Sequence, residues 1–372
     1  MKKIKIVHII SSLGVGGAEN ILDLVVTNTG EFEHIIISLK ELDFYGQKLR
    51  KQGFKVIYLN INLLNIPLKL AKLFWFLKKM NPDIVHTWLY HADLIGGLIA
   101  KLSGTKQIYW SIRHDYKPRQ NSIKNNLLVN ILGYLSNFIP SKIISCSEIA
   151  AMNHGLAGYK MDLIDIIPNG VNTHQFSPNI ETSKSVRKKF GLSTNDFVIG
   201  MIARYHPIKD HNNLIEGISL VKRSKKDFKC ILVGRYINKL NSNLWERIKH
   251  LGLENDIVLI EEYENIHEIF KCLNVHILTS RSECFPNVLI QAMASGVPCI
   301  STEVGEAKNI INETGWVVKP SDPHQLSKAI VECIEDGSLQ SKSTLARERV
   351  ISKFSLDMMI SSYKKLYRSF KK

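Results

Sequence analysis

Arg204 and Lys209 stand in one short segment, Ala203-Arg204-Tyr205-His206-Pro207-Ile208-Lys209-Asp210-His211, directly behind the apolar run that begins at Phe197. Two cations fixed in one loop suit a substrate that gains negative charge as a bond breaks, such as a diphosphate leaving with a nucleotide. Cations held at that point stabilise the transition state more than the ground state. The chain has no Asp-x-Asp pair to carry a metal–diphosphate complex. No metal is therefore expected, and the side-chain cations are the consistent alternative. A solvated basic turn would look the same in isolation, so the reading needs a second segment.

That segment is Ser280-Arg281-Ser282-Glu283-Cys284-Phe285-Pro286-Asn287-Val288-Leu289-Ile290-Gln291, closing at Gly296. Pro286 suits the first position of a helix and Gly296 its stop, which predicts about ten helical residues. The stretch Cys284, Phe285, Pro286, Asn287, Val288 leads into that N-terminus, whose free amides (Pro286 has none) can hold a phosphate or sugar oxygen. Glu283 stands just ahead of them, where its carboxylate can accept from sugar hydroxyls. Asn287 and Gln291 share a helix face, and Gln291 can reach a ribose.

A third segment, Ser11-Ser12-Leu13-Gly14-Val15-Gly16-Gly17-Ala18-Glu19, leads from the first apolar run into a helical pattern. Gly16 and Gly17 would let backbone amides approach a phosphate. A dinucleotide fold would want a third glycine where Glu19 stands, and an acid near Ser38 and Lys40. A tight turn with no ligand is the other reading.

Positioning these loops requires strands. Apolar, β-branched runs fall at Ile4–Ile10, His34–Leu39, Lys55–Leu59, Ile84–Thr87, Gln107–Ser111, Lys142–Cys146 and Leu163–Ile167. They resume at Phe197–Ala203, Cys230–Val233, Asp256–Ile260, Val275–Thr279, Val297–Ser301 and Trp316–Val318. Helical patterns such as Leu68–Lys79, Ala92–Leu102 and Ile123–Leu135 lie between. This is an α/β chain with doubly wound parallel sheets, in which ligands sit beyond the carboxyl ends of the strands. The polar stretch Pro168–Lys184 is the connector, and a cleft between two domains is expected.

The length of 372 residues suits two domains. A net charge of +15, from 49 Lys and Arg against 34 Asp and Glu, favours anionic partners. No nucleic-acid module is recognisable, so nucleic acid is not an expected partner. The six cysteines are scattered, against a zinc site or a disulfide framework and in favour of a cytoplasmic location. The N-terminus reads as a strand rather than a signal peptide.

Taken together these segments resemble the retaining glycosyltransferases of family 4, which have the GT-B fold. The resemblance rests on Gly-Gly-x-Glu at Gly16–Glu19, Ile-Pro-Asn-Gly-Val at Ile167–Val171, the pair Arg204 and Lys209, and Glu283-x-Phe285-Pro286-Asn287-Val288 with Ala292-Met293-Ala294. It implies two Rossmann-like domains: an acceptor-binding one over 1–175, joined by a C-terminal helix at 355–372, and a donor-binding one over 176–354. It implies a nucleotide-sugar substrate, by family habit a UDP-sugar, with no further cofactor. The family's second glutamate is replaced by Gln291, which can still bond a ribose hydroxyl but without charge assistance. Val304-Gly305-Glu306-Ala307 departs from the usual Gly-Gly-x-Pro-Glu.

In the first half, Val85–Asp93 and Tyr109–His114 look like the acceptor-side segments of polysaccharide-building members. His114 is the match to a histidine that the family often carries after this strand. Arg113 stands beside it, and His91 is the second cleft candidate. The expected reaction is transfer, with retention, to a lipid-linked or saccharide acceptor in capsule, exopolysaccharide or lipopolysaccharide synthesis. Alternatives are a nucleotide-sugar 2-epimerase on the same fold and a non-catalytic partner subunit. The basic and aromatic stretches Leu68–Lys79 and Ile123–Phe138 predict peripheral contact with an anionic inner membrane face.

Overall fold

The computed structural model describes residues 3–41, 43–62, 64–118 and 122–369. It divides into two compact units, Met1–Asn169 with Met359–Lys372, and Gly170–Met358.

The first unit is a seven-stranded parallel sheet of β1 (Lys5–Ile10), β2 (Glu33–Ser38), β3 (Lys55–Tyr58), β4 (Ile84–Trp88), β5 (Gln107–Ile112), β6 (Lys142–Ser145) and β7 (Ile164–Ile166). The order is β3-β2-β1-β4-β5-β6-β7. Helices α1 (Gly17–Asn28), α2 (Phe44–Lys51), α3 (Ile66–Met80), α4 (Tyr90–Leu102), α5 (Ile123–Leu135) and α6 (Glu148–Leu156) make the connections. Strands covered on both faces must be apolar throughout. Ile6, Ile9, Ile36, Val85, Ile108 and Ile144 are accordingly fully buried.

The second unit repeats the plan. It has helix α7 (Ile180–Lys189), strand β8 (Val198–Ile202), helix α8 (His211–Arg223), strand β9 (Lys229–Val233), helix α9 (Ser242–His250), strand β10 (Ile257–Ile260) and helix α10 (Ile266–Lys271). Strand β11 (Val275–Leu278), helix α11 (Asn287–Ala294), strand β12 (Cys299–Thr302), helix α12 (Ala307–Ile311), strand β13 (Trp316–Val318) and helices α13 (Pro323–Glu335) and α14 (Leu339–Lys353) follow. The six strands are parallel, in the order β10-β9-β8-β11-β12-β13. Ile199, Met201, Leu214, Leu232, Ile277 and Leu326 join its core. Each such side chain contributes about 1.5–3 kcal/mol when buried.

Thirteen strands were expected and thirteen form among the described residues, with ends shifted by two residues or fewer. The final helix, α15 (Leu356–Arg368), starts in the second unit and ends in the first. Tyr363 and Tyr367 are buried in the first unit, where the Tyr367 hydroxyl meets His86 Nδ1 at 2.9 Å. Phe370, expected in this helix, lies outside the described residues. No described helix is long and apolar enough to cross a membrane.

Candidate active site

In each sheet the strand order reverses at one point, between β1 and β4 and between β8 and β11. Loops leaving neighbouring strands there diverge to opposite faces and open a crevice at the carboxyl edge. In the second unit, Ile199 and Gly200 of β8 register against Val275 and His276 of β11. The loops that follow, 203–210 and 279–286, are therefore neighbours although some seventy residues separate them.

Lys209 Nζ donates to Glu283 Oε1 at 2.5 Å, and both side chains are about four-fifths buried. Ser280 Oγ donates to the same oxygen at 2.7 Å. The ammonium keeps further N–H groups for a ligand anion, and the second carboxylate oxygen of Glu283 stays available to hydroxyl donors.

The loop that carries Lys209 is fastened at several points. Pro207–Lys209 forms one 3-10 turn, capped where the Ile208 amide donates to His206 Nδ1 at 3.2 Å. Asp210 follows with φ +50, and its buried carboxylate receives Arg281 Nε at 2.7 Å and Nη2 at 3.1 Å. Ser321 Oγ adds a third bond at 3.0 Å. The carboxylate holds the Arg281 guanidinium charged, above its ordinary pKa. Thr279 Oγ1 donates to the carbonyls of Lys209 and Asp210 at 2.9 and 3.0 Å. The Arg281 amide donates to the Ile208 carbonyl at 2.8 Å.

Arg204 leaves the end of β8 with an exposed side chain that makes no hydrogen bond or ion pair among the described residues. Beneath it runs Gly234, where a Cβ would collide with the Ala203 carbonyl, so β9 can pass this closely only as glycine. Gly305, with φ +46, similarly leaves no room for a Cβ against the carbonyls of Glu283 and Cys284. The Glu306 amide donates to the Cys284 carbonyl at 3.0 Å. The 304–306 loop is thus a backbone buttress for the Glu283 turn.

Helix α11 is shorter than expected. Its eight residues begin at Asn287, and Pro286 is the N-cap rather than the first helical residue because its ψ of 93 is extended. Gly296, with φ +74, stops the chain as anticipated. Asn287, Val288 and Gln291 lie half-buried on one side of the helix, while Cys284 and Phe285 are buried.

Two family models match the chain: "Glycosyltransferase Family 4" over residues 22–175 and "Glycosyl transferases group 1" over residues 182–348. This chain is a family 4 glycosyltransferase. Its relatives include the UDP-Gal:alpha-D-GlcNAc-diphosphoundecaprenol alpha-1,3-galactosyltransferase of Escherichia coli, 24% identical over 87% of this chain and 85% of that protein. The capsular polysaccharide biosynthesis glycosyltransferase CapM of Staphylococcus aureus is 25% identical over 82% and 81%. In fold it is similar to Anabaena Alr3699/HepE, solved in complex with UDP, with a TM-score of 0.89 over 98% of this chain and 100% of that one at 20% identity.

The other residues singled out in the glycosyltransferase sequence belong to the first unit. Gly16 is the N-cap of α1 and Gly17 its first residue. Gly16 is extended, so glycine is needed for space rather than for conformation: a Cβ would meet the Glu19 carboxylate. That carboxyl is buried, which pushes its pKa up, while a hydrogen bond from its own backbone amide works the other way. The helix terminus that looked open to a phosphate therefore already holds an acid of the chain itself.

His91 and His114 follow the neighbouring strands β4 and β5, and both are exposed. The ring of Tyr90 lies 5.9 Å from His114, and its hydroxyl is 2.7 Å from His154 Nε2. Arg113 is placed differently from its neighbour. It is buried, bonds Asn169 Oδ1 at 3.0 Å and the Tyr363 hydroxyl, and lies over Trp88. Named from the sequence as an acceptor-side candidate, it anchors the last helix within the first unit.

Leu89, between β4 and α4, has φ +74 and ψ 152, a combination that strains any residue with a Cβ. The turn is held by Asp93, which receives Thr87 Oγ1 at 2.5 Å. Such strain commonly marks a working segment, and Tyr90 and His91 follow at once.

A cavity of about 830 Å³ in the second unit lies elsewhere, at the amino edge of the sheet beside Phe197, Asn274 and Val297. Its two arginines are committed to the fold: Arg187 to the carbonyls of Cys272, Ser193, Thr194 and Asp196, and Arg347 to those of Phe176 and Ala294.

Proposed function

We propose that this glycosyltransferase moves a hexose from a UDP-sugar, with retention, onto a lipid-linked saccharide during synthesis of a surface polysaccharide. The observation that carries the reading is the pairing of Lys209 with Glu283 at the strand-order reversal of the second unit. It joins a phosphate-seeking cation to a hydroxyl-seeking carboxylate within one hydrogen bond. Alr3699/HepE, solved with UDP and with UDP-glucose, and the E. coli relative named for UDP-Gal and a diphosphoundecaprenol acceptor support the choice of substrates.

In this scheme the bond from the sugar anomeric carbon to the diphosphate breaks, and the acceptor oxygen bonds that carbon on the same face. Lys209 and Arg204 take the charge that develops on the departing phosphates. A departing phosphate oxygen takes the proton of the acceptor hydroxyl. Glu283 orients the sugar through its hydroxyls, while Asn287 and Gln291 hold the nucleoside end. The second unit serves the donor. The first serves the acceptor, with His114 and His91 exposed after β5 and β4.

Thermal-shift screening of nucleotide sugars, followed by transfer assays on lipid-linked saccharides, tests the reading. UDP-sugars should stabilise the protein, and donor should be consumed only when acceptor is present. Conversion of donor to its epimer without acceptor would replace transfer with isomerisation, and absence of any donor binding would indicate a non-catalytic subunit.

A further inference from the structure

The cavity at the amino edge of the second sheet lies a strand's length, about 15 Å, from Lys209 and Glu283. Helices α7 and α14 wall it, and Phe197, Leu273 and Val297, at the feet of β8, β11 and β12, floor it. At about 830 Å³ it has the size of a site for a small organic ligand.

Its charges are unevenly matched. Arg187 of α7 is buried and gives its N–H groups to four backbone carbonyls and to Asn274 Oδ1. Arg347 of α14 donates to the carbonyls of Thr173, Phe176 and Ala294 through its two terminal nitrogens, which leaves its Nε–H for a ligand. All these partners are neutral, and neither guanidinium makes an ion pair among the described residues. Burial holds Arg347 below its ordinary pKa, as befits a cation that has lost water without gaining an anion. Lys271, half-buried on the same wall, makes no hydrogen bond or ion pair among the described residues. Lys184 is tied to Glu181 at 3.0 Å. Against these cations stand Asp196, whose Oδ2 receives the Ser193 amide at 2.7 Å, and the exposed Glu348. A buried charge ordinarily has an anionic partner, and an anion entering here would supply one.

Much of the remaining wall is amide and hydroxyl. Ser183 and Gln340 make no side-chain hydrogen bond among the described residues. Asn179 keeps its NH2 group after its Oδ1 caps the Thr182 amide at 2.8 Å. These groups offer both donors and acceptors, as sugar hydroxyls require. Phe197 gives an apolar surface of the kind on which the C–H face of a pyranose packs.

We propose that this cavity is a second ligand site, for a small sugar carrying a phosphate or a carboxylate, with the anion near Arg347 and Lys271 and the ring over Phe197. It shares no residue with the donor crevice, so the inference stands apart from the donor reading.

Titration calorimetry with glucose 1-phosphate and with glucuronic acid tests it and separates the two anions, with glucose and inorganic phosphate as controls. At least one anionic sugar should bind at one site per chain, more tightly than either control. Lys271→Gln should weaken that binding about tenfold. Ser183→Trp and Ser343→Trp, which fill the cavity from two different helices, should abolish it while circular dichroism and melting temperature stay close to wild type. Saturating UDP should leave it unchanged. Binding of neither anionic sugar, binding no tighter than that of glucose or phosphate, unchanged binding by the folded tryptophan variants, or displacement by UDP would overturn the proposal.

Discussion

Asp210 and Arg281 grip each other through two hydrogen bonds one residue beyond Lys209, and this pair fixes where the lysine stands. Asp210 needs the grip because its φ of +50 is unfavourable for a residue with a side chain. Asp210→Ala should destabilise the second unit by about 2 kcal/mol and lower kcat about tenfold. Asp210→Asn, which tolerates this conformation, should recover part of both. Denaturant unfolding and donor-saturated turnover measure the two effects. Loss of stability without loss of kcat would make the pair purely structural.

Gly305→Ala tests the buttress under Glu283. The new methyl would press on the carbonyls of Glu283 and Cys284 at a positive φ. Stability should fall by about 1–3 kcal/mol, and kcat for transfer should fall more than UDP affinity if Glu283 orients the sugar as proposed. Calorimetry with UDP beside turnover separates the effects.

Gln291→Glu should tighten nucleotide binding about fivefold, because a charged acceptor strengthens a ribose hydrogen bond by roughly 1 kcal/mol. Titration calorimetry with UDP checks it. Unchanged affinity would mean that Gln291 does not meet the ribose.

Stability should depend on pH with a defined shape. Burial lowers His34, His154 and His211 to about 4 and His276 to about 3. The unfolded chain takes up these protons first, near 6.5. The stability that the neutral rings provide is therefore present above about 6.5 and lost as pH falls toward 4, by about 1.4 kcal/mol per pH unit for each ring. Asp93 runs the other way. Burial raises it to about 8, so its contribution is full below its unfolded value and is lost as pH rises through 8. Melting temperature should therefore peak near neutral pH and drop steeply below about 6. Asp93→Asn should flatten the alkaline side, which a fluorimetric melt between pH 4 and 9 will show.

Buried parallel strands announce themselves as short β-branched runs, so the α/β fold was legible in sequences such as Ile35–Ile37 and Ile143–Ile144. Arg204, Lys209 and Glu283 were legible because each stands just past such a run. Their setting was not. The pairing of Lys209 with Glu283, and the bonds of Asp210 to Arg281 and Ser321, depend on β8 lying beside β11, a strand order that sequence order conceals. Gly234 and Gly305 carried a signal in hindsight, since glycine beside a strand end often marks close backbone approach. The setting of Arg113 was hidden in the same way, since its partner Tyr363 stands some 250 residues away in the chain.

The central claim is that Lys209 bears the charge of the departing diphosphate. Single-turnover transfer from a UDP-sugar by Lys209→Ala, with its melting temperature measured alongside, tests it most directly. A folded variant whose transfer step is slowed about a hundredfold or more, with UDP affinity reduced far less, is the predicted result. A folded variant that transfers sugar at close to the normal rate would contradict it.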